Sequence, residues 1–286
     1  MQLTEKLHEA PLAARSPATL RLLGPITVTI DGVQRPMPRS KKVRALLAFL
    51  ALSRRPVART RLCELFWGGP GDPRSELRWT LSRLRSVLHA DHRPRICTRD
   101  DSIWLDATDL AVDAYEVDAA SRAGIESLGT DRLFALLAHM GGELAEGLWL
   151  DREPPFANWL VAQRRSFRAL HLDVLRALVG RLAHREQDTP IYLACVEKWL
   201  ALARFDVRAH STLMHALHRR GRFDECAEHV AATVRLFESE GFDSAGIRAE
   251  WRGLRTGERA PATSTPAAPP VFSASHRLAD ARTRSH

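Results

Sequence analysis

Hydrophobic and polar positions divide the chain into a β-rich opening, a segment with three helix-like patterns, a second hairpin and a long helical remainder. Leu20 to Leu23 and Ile26 to Ile30 predict short strands; Ile26, Val28 and Ile30 alternate with Thr27 and Thr29, the period of a strand with one buried face. Asp31-Gly32 has the composition of a two-residue hairpin turn, Val33 starts the returning strand, and Pro36 and Pro38 end it. Lys41 to Ser53, dense in Ala and Leu, predicts a helix with Ser40 as its N-cap, broken by Arg54-Arg55-Pro56. Arg59 to Phe66 predicts a second, short helix with Leu62, Leu65 and Phe66 inward. Trp67 to Pro73, with three glycines and two prolines, predicts a loop.

A third helix is predicted over Ser75 to Leu88. Leu77, Leu81, Leu84 and Leu88 fall at i, i+4, i+7 and i+11, one narrow apolar stripe. The opposite face carries Ser75, Trp79, Ser82 and Ser86, flanked by Arg78, Arg83 and Arg85; the only acid is Glu76, in the first turn. Small hydroxyls permit close approach to a DNA groove, and Arg can pair in a bidentate manner with guanine. An ordinary solvated face is the competing reading, but such faces usually mix Glu with Lys. Ile96 to Thr98 and Ile103 to Leu105, around Asp100 and Asp101, predict a hairpin. Strands, three helices and a hairpin in that order make a winged helix-turn-helix with an extra N-terminal sheet.

From Asp109 the pattern turns helical: Asp109 to Asp118 opens the region, which includes Gly142-Glu143-Leu144 and Glu153 to Arg168. Leu172, Leu175, Val179 and Leu182 form one apolar stripe, Ile191, Cys195, Trp199 and Leu202 another, and Phe223, Cys226, Ala227, Val230, Val234 and Phe237 a third. The fold expected is mainly α: a winged helix with a small sheet and hairpin wing over 19–106, then an all-α helical-repeat domain over 107–255. Residues 1–18 are expected to be flexible, and 256–286, with Pro261, Pro266, Pro269 and Pro270 among Ala, Ser and Thr, to be a disordered tail.

Charge sharpens this division. Residues 1–106 hold 19 Lys and Arg against 10 Asp and Glu, whereas 107–286 hold 23 against 24; within 36–95 the balance is 14 to 4. A basic module joined to a neutral one suggests a polyanion-binding unit beside a unit with another task. No apolar run is long enough for a membrane span, and the opening residues lack the apolar core of a secretory signal, so a cytoplasmic, nucleoid-associated protein without a membrane partner is expected. The scattered Cys63, Cys97, Cys195 and Cys226 suggest reduced thiols. The chain has no phosphate-binding Gly loop, His-Glu-x-x-His pair or Gly-x-Ser-x-Gly elbow, and His215 and His218, one turn apart, suggest a helical surface pair; no catalytic residue, cofactor or metal is expected.

Pro38-Arg39-Ser40-Lys41-Lys42-Val43-Arg44-Ala45-Leu46-Leu47-Ala48-Phe49-Leu50, Pro56 to Leu62, Leu65-Phe66-Trp67 and the helix ending Ser82-Arg83-Leu84-Arg85 resemble the OmpR/PhoB-type winged helix, and more specifically the antibiotic-regulatory-protein (SARP) class of activators. Gly221-Arg222-Phe223-Asp224-Glu225-Cys226-Ala227 resembles the turn and second helix of a TPR hairpin, as in the bacterial transcriptional activator domain that follows the winged helix in that class. The resemblance covers roughly residues 20–255. It implies that the third helix enters the major groove, with Arg78, Trp79, Thr80, Arg83 and Arg85 facing it beside Ser75 and Ser82. Thr98 and Arg99 would belong to a backbone-contacting wing, and Lys41, Lys42 and Arg44 would hold phosphates. The loop would face RNA polymerase through Gly69, Pro70, Gly71, Asp72 and Arg74.

The function expected is that of a sequence-specific DNA-binding transcriptional activator whose partners are double-stranded DNA and RNA polymerase. One three-helix module reads few base pairs, so pairing of two protomers on DNA is expected, and the resemblance favours direct repeats. The alternative is an adaptor whose winged helix and TPR-like repeats both bind protein.

Overall fold

A computed structural model describes residues 18–89, 93–183 and 189–256. The segments expected to be flexible (1–18) and disordered (256–286) lie outside the described residues, apart from Ala18 and Thr256. β1 (Ala18–Arg21) pairs antiparallel with β2 (Thr27–Ile30), placing Leu20 opposite Val28, and β2 turns into β3 (Val33–Arg35). Asp31 (φ 51°) and Gly32 (φ 75°) both take positive φ, as a type I′ hairpin turn requires.

The helix-turn-helix follows. α1 (Lys41–Ser53) and α2 (Arg59–Phe66) have the bounds that the pattern predicts, and Leu62, Leu65 and Phe66 are buried. Ser40 occupies the N-cap position of α1 but makes no side-chain cap hydrogen bond. α3 (Pro73–Leu88) buries Leu77, Leu81, Leu84 and Leu88 as expected, with Thr80 and Val87 added to that face. The wing is β5 (Ile96–Arg99) and β6 (Ser102–Leu105), joined in a sheet of order β4-β6-β5 by β4 (Val57–Ala58), a two-residue strand the pattern did not predict.

The region expected to open as helix begins instead with a strand, β7 (Leu110–Val112), lying parallel to β1 and completing a sheet of order β3-β2-β1-β7. Leu110 and Val112 are buried, so the segment alternates like a strand; its pairing partner lies some ninety residues away, where local periodicity cannot find it. Asp113, the next residue, is buried beneath the end of β1. Its carboxylate accepts the backbone N–H groups of Leu22 (2.8 Å) and Leu23 (3.0 Å), capping two donors that have left the sheet ladder. Burial pushes the Asp113 pKa up, against the pull of these donors and of Arg21.

Helices follow: α4 (Asp113–Ala123), a 3₁₀ turn (Ile125–Ser127), α5 (Thr130–His139), α6 (Pro154–Leu182), α7 (Pro190–Leu202), α8 (Val207–Arg219), α9 (Phe223–Ser239) and α10 (Ala245–Thr256). α6 joins two expected stretches into one 29-residue helix; Leu175, Val179 and Leu182 are buried and Leu172 half-buried. Asp206 caps α8 by accepting from the Arg208 N–H, and also takes Trp199 Nε1 (3.0 Å) and an Arg176 guanidinium (2.9 Å). Burial alone would raise its pKa, but the hydrogen bonds from Arg176 and Trp199 prevail and hold it low. Phe223, expected on an inward stripe, is 53% exposed and packs edge-on against His218. The fold is thus a winged helix followed by a helical domain. By proximity the backbone divides at Cys226/Ala227, and the boundary expected after Asp106 falls inside the first unit, between β6 and β7.

Within that unit α6 packs directly on the helix-turn-helix. Phe49 of α1 and Phe66 of α2 meet Phe156 and Trp159 of α6 in a closed set of ring contacts, with centroids 4.9–5.9 Å apart. Glu153, just before α6 and 5% exposed, accepts Lys42 Nζ at 2.6 Å and the Gly68 N–H at 3.3 Å. The 140–150 loop is tied to the end of β1: Ala145 N donates to Leu22 O, Gly24 N to Glu143 O and Glu146 N to Gly24 O. The approach is so close that a Cβ on Gly142 would stand 3.1 Å from Gly24 Cα. Arg164 of α6 holds this loop by donating to the carbonyls of Leu144, Ala145 and Leu148.

Phe66, 0% exposed, belongs to the α2 core and to this joint at once. Phe66→Ala should therefore cost about 3–5 kcal/mol, the range for truncating a core aromatic. Urea unfolding at matched m-value checks this, and a change below about 1 kcal/mol would show the joint to be loose.

Candidate nucleic-acid interface

α3 owes its position to both ends. Its N-terminus is fixed by Asp72, whose Oδ1 accepts from Arg74 N (3.0 Å) and Ser75 N (3.1 Å), and by Pro73 at the first helical position. At its C-terminus the buried Arg95 donates to Leu88 O at 2.6 Å and pairs with Asp109 at 2.8 Å, while the His89 backbone N–H bonds back to Arg85 O. Between these ends the stripe centred on Leu77, Leu81, Leu84 and Leu88 faces the core, and the exposed side is set by subtraction.

That side carries Ser75, Arg78, Trp79, Ser82, Arg83 and Ser86, all exposed, with Arg85 half-buried. Trp79 is 48% exposed, and the Arg83 guanidinium lies 5.2 Å from its ring centroid. A cation–π contact with an indole steadies the guanidinium without neutralising it. Thr80 is different: at 1% exposure it sits in the core-facing seam between Leu77 and Leu81, so it cannot face a groove. Thr98 and Arg99 are exposed on β5, next to a turn in which Asp100 takes φ 51°.

The three basic residues expected to hold phosphate differ in environment. Lys41 is exposed and makes no ion pair among the described residues. Lys42 is committed elsewhere: its ammonium binds the buried Glu153 and lies 5.4 Å from the Trp67 ring centroid. Releasing it to a phosphate would leave a buried carboxylate short of its counter-ion. Arg44 is half-buried and donates to Arg39 O (3.3 Å), bracing the segment before α1.

Two arginines that the sequence reading passed over stand beside α3. Arg35 and Arg39, at the ends of the Arg35-Pro36-Met37-Pro38-Arg39 segment, line a cleft of about 630 Å³ with Trp79, Arg83 and Ser86. Two prolines in five residues were the available signal, since they hold such a segment extended and display its flanking side chains. Three guanidinium groups, an indole and the hydroxyls of Ser40 and Ser86 around one cleft, with no acid among the lining residues, suit a polyanion.

The basic excess of the first domain is partly internal. Arg95 with Asp109, Arg93 with Asp106 and Asp109, Arg54 with Asp118 and Lys42 with Glu153 are all paired. Arg39, Lys41, Arg74, Arg78, Arg83 and Arg99 are exposed and have no acidic partner among the described residues.

The loop before α3 is shorter than expected, because Pro73 already belongs to the helix and Asp72 is its cap. Trp67 is buried against Phe66, leaving Gly68 to Asp72 exposed. Gly71 takes φ 139°, whereas Gly69 has open space where a side chain would go.

No family model matches the chain, and no curated protein matches it. Among solved structures its fold is similar to that of Mycobacterium tuberculosis EmbR in complex with low affinity phosphopeptide, with a TM-score of 0.57 at 20% sequence identity. The likeness covers 86% of this chain and 66% of the EmbR chain, just under two thirds of it. It therefore extends beyond the winged helix into the helical domain.

Because Asp72 orients α3, Asp72→Ala should lower stability by about 1 kcal/mol, the usual cost of an N-cap carboxylate. Asp72→Ser, which keeps an acceptor, should recover most of it. Equal stability of the two variants in denaturant titrations would exclude the capping role.

Proposed function

We propose that the chain is a sequence-specific DNA-binding transcriptional regulator of the SARP type, acting as an activator at promoters. The observation that carries this reading is the exposed face of α3, where Arg78, Trp79, Ser82 and Arg83 stand without acidic partners among the described residues, on a helix capped and braced at both ends. Its exposed face would enter the major groove, with Arg78 and Arg83 reading bases and Ser75 and Ser82 allowing close approach. Lys41, Arg39 and Arg35 would hold the flanking phosphates, and Thr98 and Arg99 of the wing the neighbouring backbone. Two protomers on direct half-sites about one helical turn apart would supply the site length that one module lacks.

Gel shifts against genomic fragments, followed by selection of the bound sequences, test this directly. Arg83→Ala should weaken a selected site by about 1–3 kcal/mol and relax preference at one position, as loss of a bidentate guanine contact would. Lys41→Ala should weaken specific and non-specific binding alike and flatten the log–log salt slope by about 0.9. Lys42→Ala should leave that slope unchanged and lower stability instead. If no fragment binds while the helical domain captures protein partners, the adaptor reading replaces this one.

Activation is proposed to run through Gly69 to Arg74, exposed except for the half-buried Pro73, as the segment that meets RNA polymerase. Asp72 and Gly71 are unsuitable probes of that role, since one caps α3 and the other needs positive φ. Gly69→Glu enters open space. It should keep promoter affinity and lower transcription in a reconstituted assay; parallel loss of both would remove the loop from polymerase contact.

A further inference from the structure

A cavity of about 620 Å³, far from the α3 face in chain order, is bounded by the 140–149 loop, α6 and α7. Its volume is that of a small-molecule site. Its charge is one-sided. Arg164, Arg165 and Arg168 of α6 and Lys198 of α7 line it, and Glu143 is the only acid among the lining residues. Glu143 is already paired with Arg164 at 3.1 Å. Arg168 donates to the Leu202 carbonyl, which leaves its charge uncompensated. Arg165 and Lys198 make no ion pair or hydrogen bond among the described residues.

Lys198 is half-buried, a costly place for an ammonium without a counter-ion. Burial pulls its pKa down. His171, 7% exposed, also lines the cavity, and its Nε2 has no hydrogen-bond partner among the described residues. Burial and the nearby Lys198 bring its pKa to about 4, so the ring is neutral at physiological pH, with one donor and one acceptor nitrogen. Buried polar atoms of this kind normally have a partner. The remaining wall is apolar and unusually exposed: Trp149 (48%) and Val161 (45%) are among the few large hydrophobic side chains left open to water.

We propose that this cavity binds a small organic anion, its oxyanion group held by Lys198 and Arg165 and its aromatic or aliphatic body packed against Trp149 and Val161. The unpartnered His171 Nε2 supplies one further hydrogen bond. The loop that forms one wall is bridged to the first sheet through Leu23 and Leu144, so a ligand here would touch a segment that the N-terminal domain also holds. This site stands independently of DNA binding, and its test uses no DNA.

The experiment titrates the full chain with anilinonaphthalene sulfonate and, separately, with phenylnaphthylamine, which has the same rings without the sulfonate. The sulfonate should bind saturably with a rise in emission, and the neutral probe much more weakly. Lys198→Met and Arg165→Ala should each weaken the sulfonate about tenfold, the loss expected for one charge-assisted hydrogen bond. Val161→Asp, at an exposed position, should weaken it further while circular dichroism shows the fold retained. Absence of saturable binding, equal affinity for the neutral probe, or sulfonate affinity unchanged in all three variants would overturn the proposal.

Discussion

Four rings, Phe49, Phe66, Phe156 and Trp159, meet where the helix-turn-helix lies against the first long helix of the helical domain, and each ring belongs to a face that its own element cannot bury alone. Glu153 completes the joint with an ion pair to Lys42 and a hydrogen bond from Gly68 N. Its effect is to fix α1, α2 and the start of the α2–α3 loop against one rigid support. The orientation of α3 follows, since α3 packs on α1 and α2 and begins where that loop ends. The other half of the support is the Asp113 carboxylate, which ends β1 where the 140–150 loop takes over its hydrogen bonding.

This dependence explains which parts of the fold were legible in the sequence. α1 and α2 were, because Arg54-Arg55-Pro56 and Trp67-Gly68-Gly69 punctuate runs of one period. The β2–β3 turn was, because Asp-Gly is tolerant of two successive positive φ values. The hydroxyl and arginine face of α3 was legible from the narrowness of its leucine stripe, but Thr80 was not: it lies three residues after Leu77 and one before Leu81, on the edge of the arc, where spacing does not decide between seam and surface. The start of α3 was misread although Asp72-Pro73 is a cap followed by a first-turn proline. The density of glycines before it outweighed that signal.

What the sequence hid is non-local. Lys42 looked like its neighbour Lys41, and only the fold places Glu153, 111 positions away, beside it. β7 looked like the start of a helix because its three residues pair with a strand made long before them. Arg95 counted toward a basic surface but is buried with Asp109. A net charge therefore measures a domain's appetite for polyanions only after its internal pairs are removed; here the remainder includes Arg35, Arg39, Lys41, the exposed face of α3 and Arg99 of the wing.

The parallel pairing of β7 with β1 has a consequence for synthesis. A ribosome makes the chain from its N-terminus, so the winged helix exists before β7 and α6 do. The first sheet lacks its fourth strand until Val112 has been added, and the apolar side of Phe49 and Phe66 stays wet until Phe156 and Trp159 emerge. The module that looks self-sufficient along the chain is thus an open half-structure at birth, and the order of translation, not the order of domains, sets when it closes.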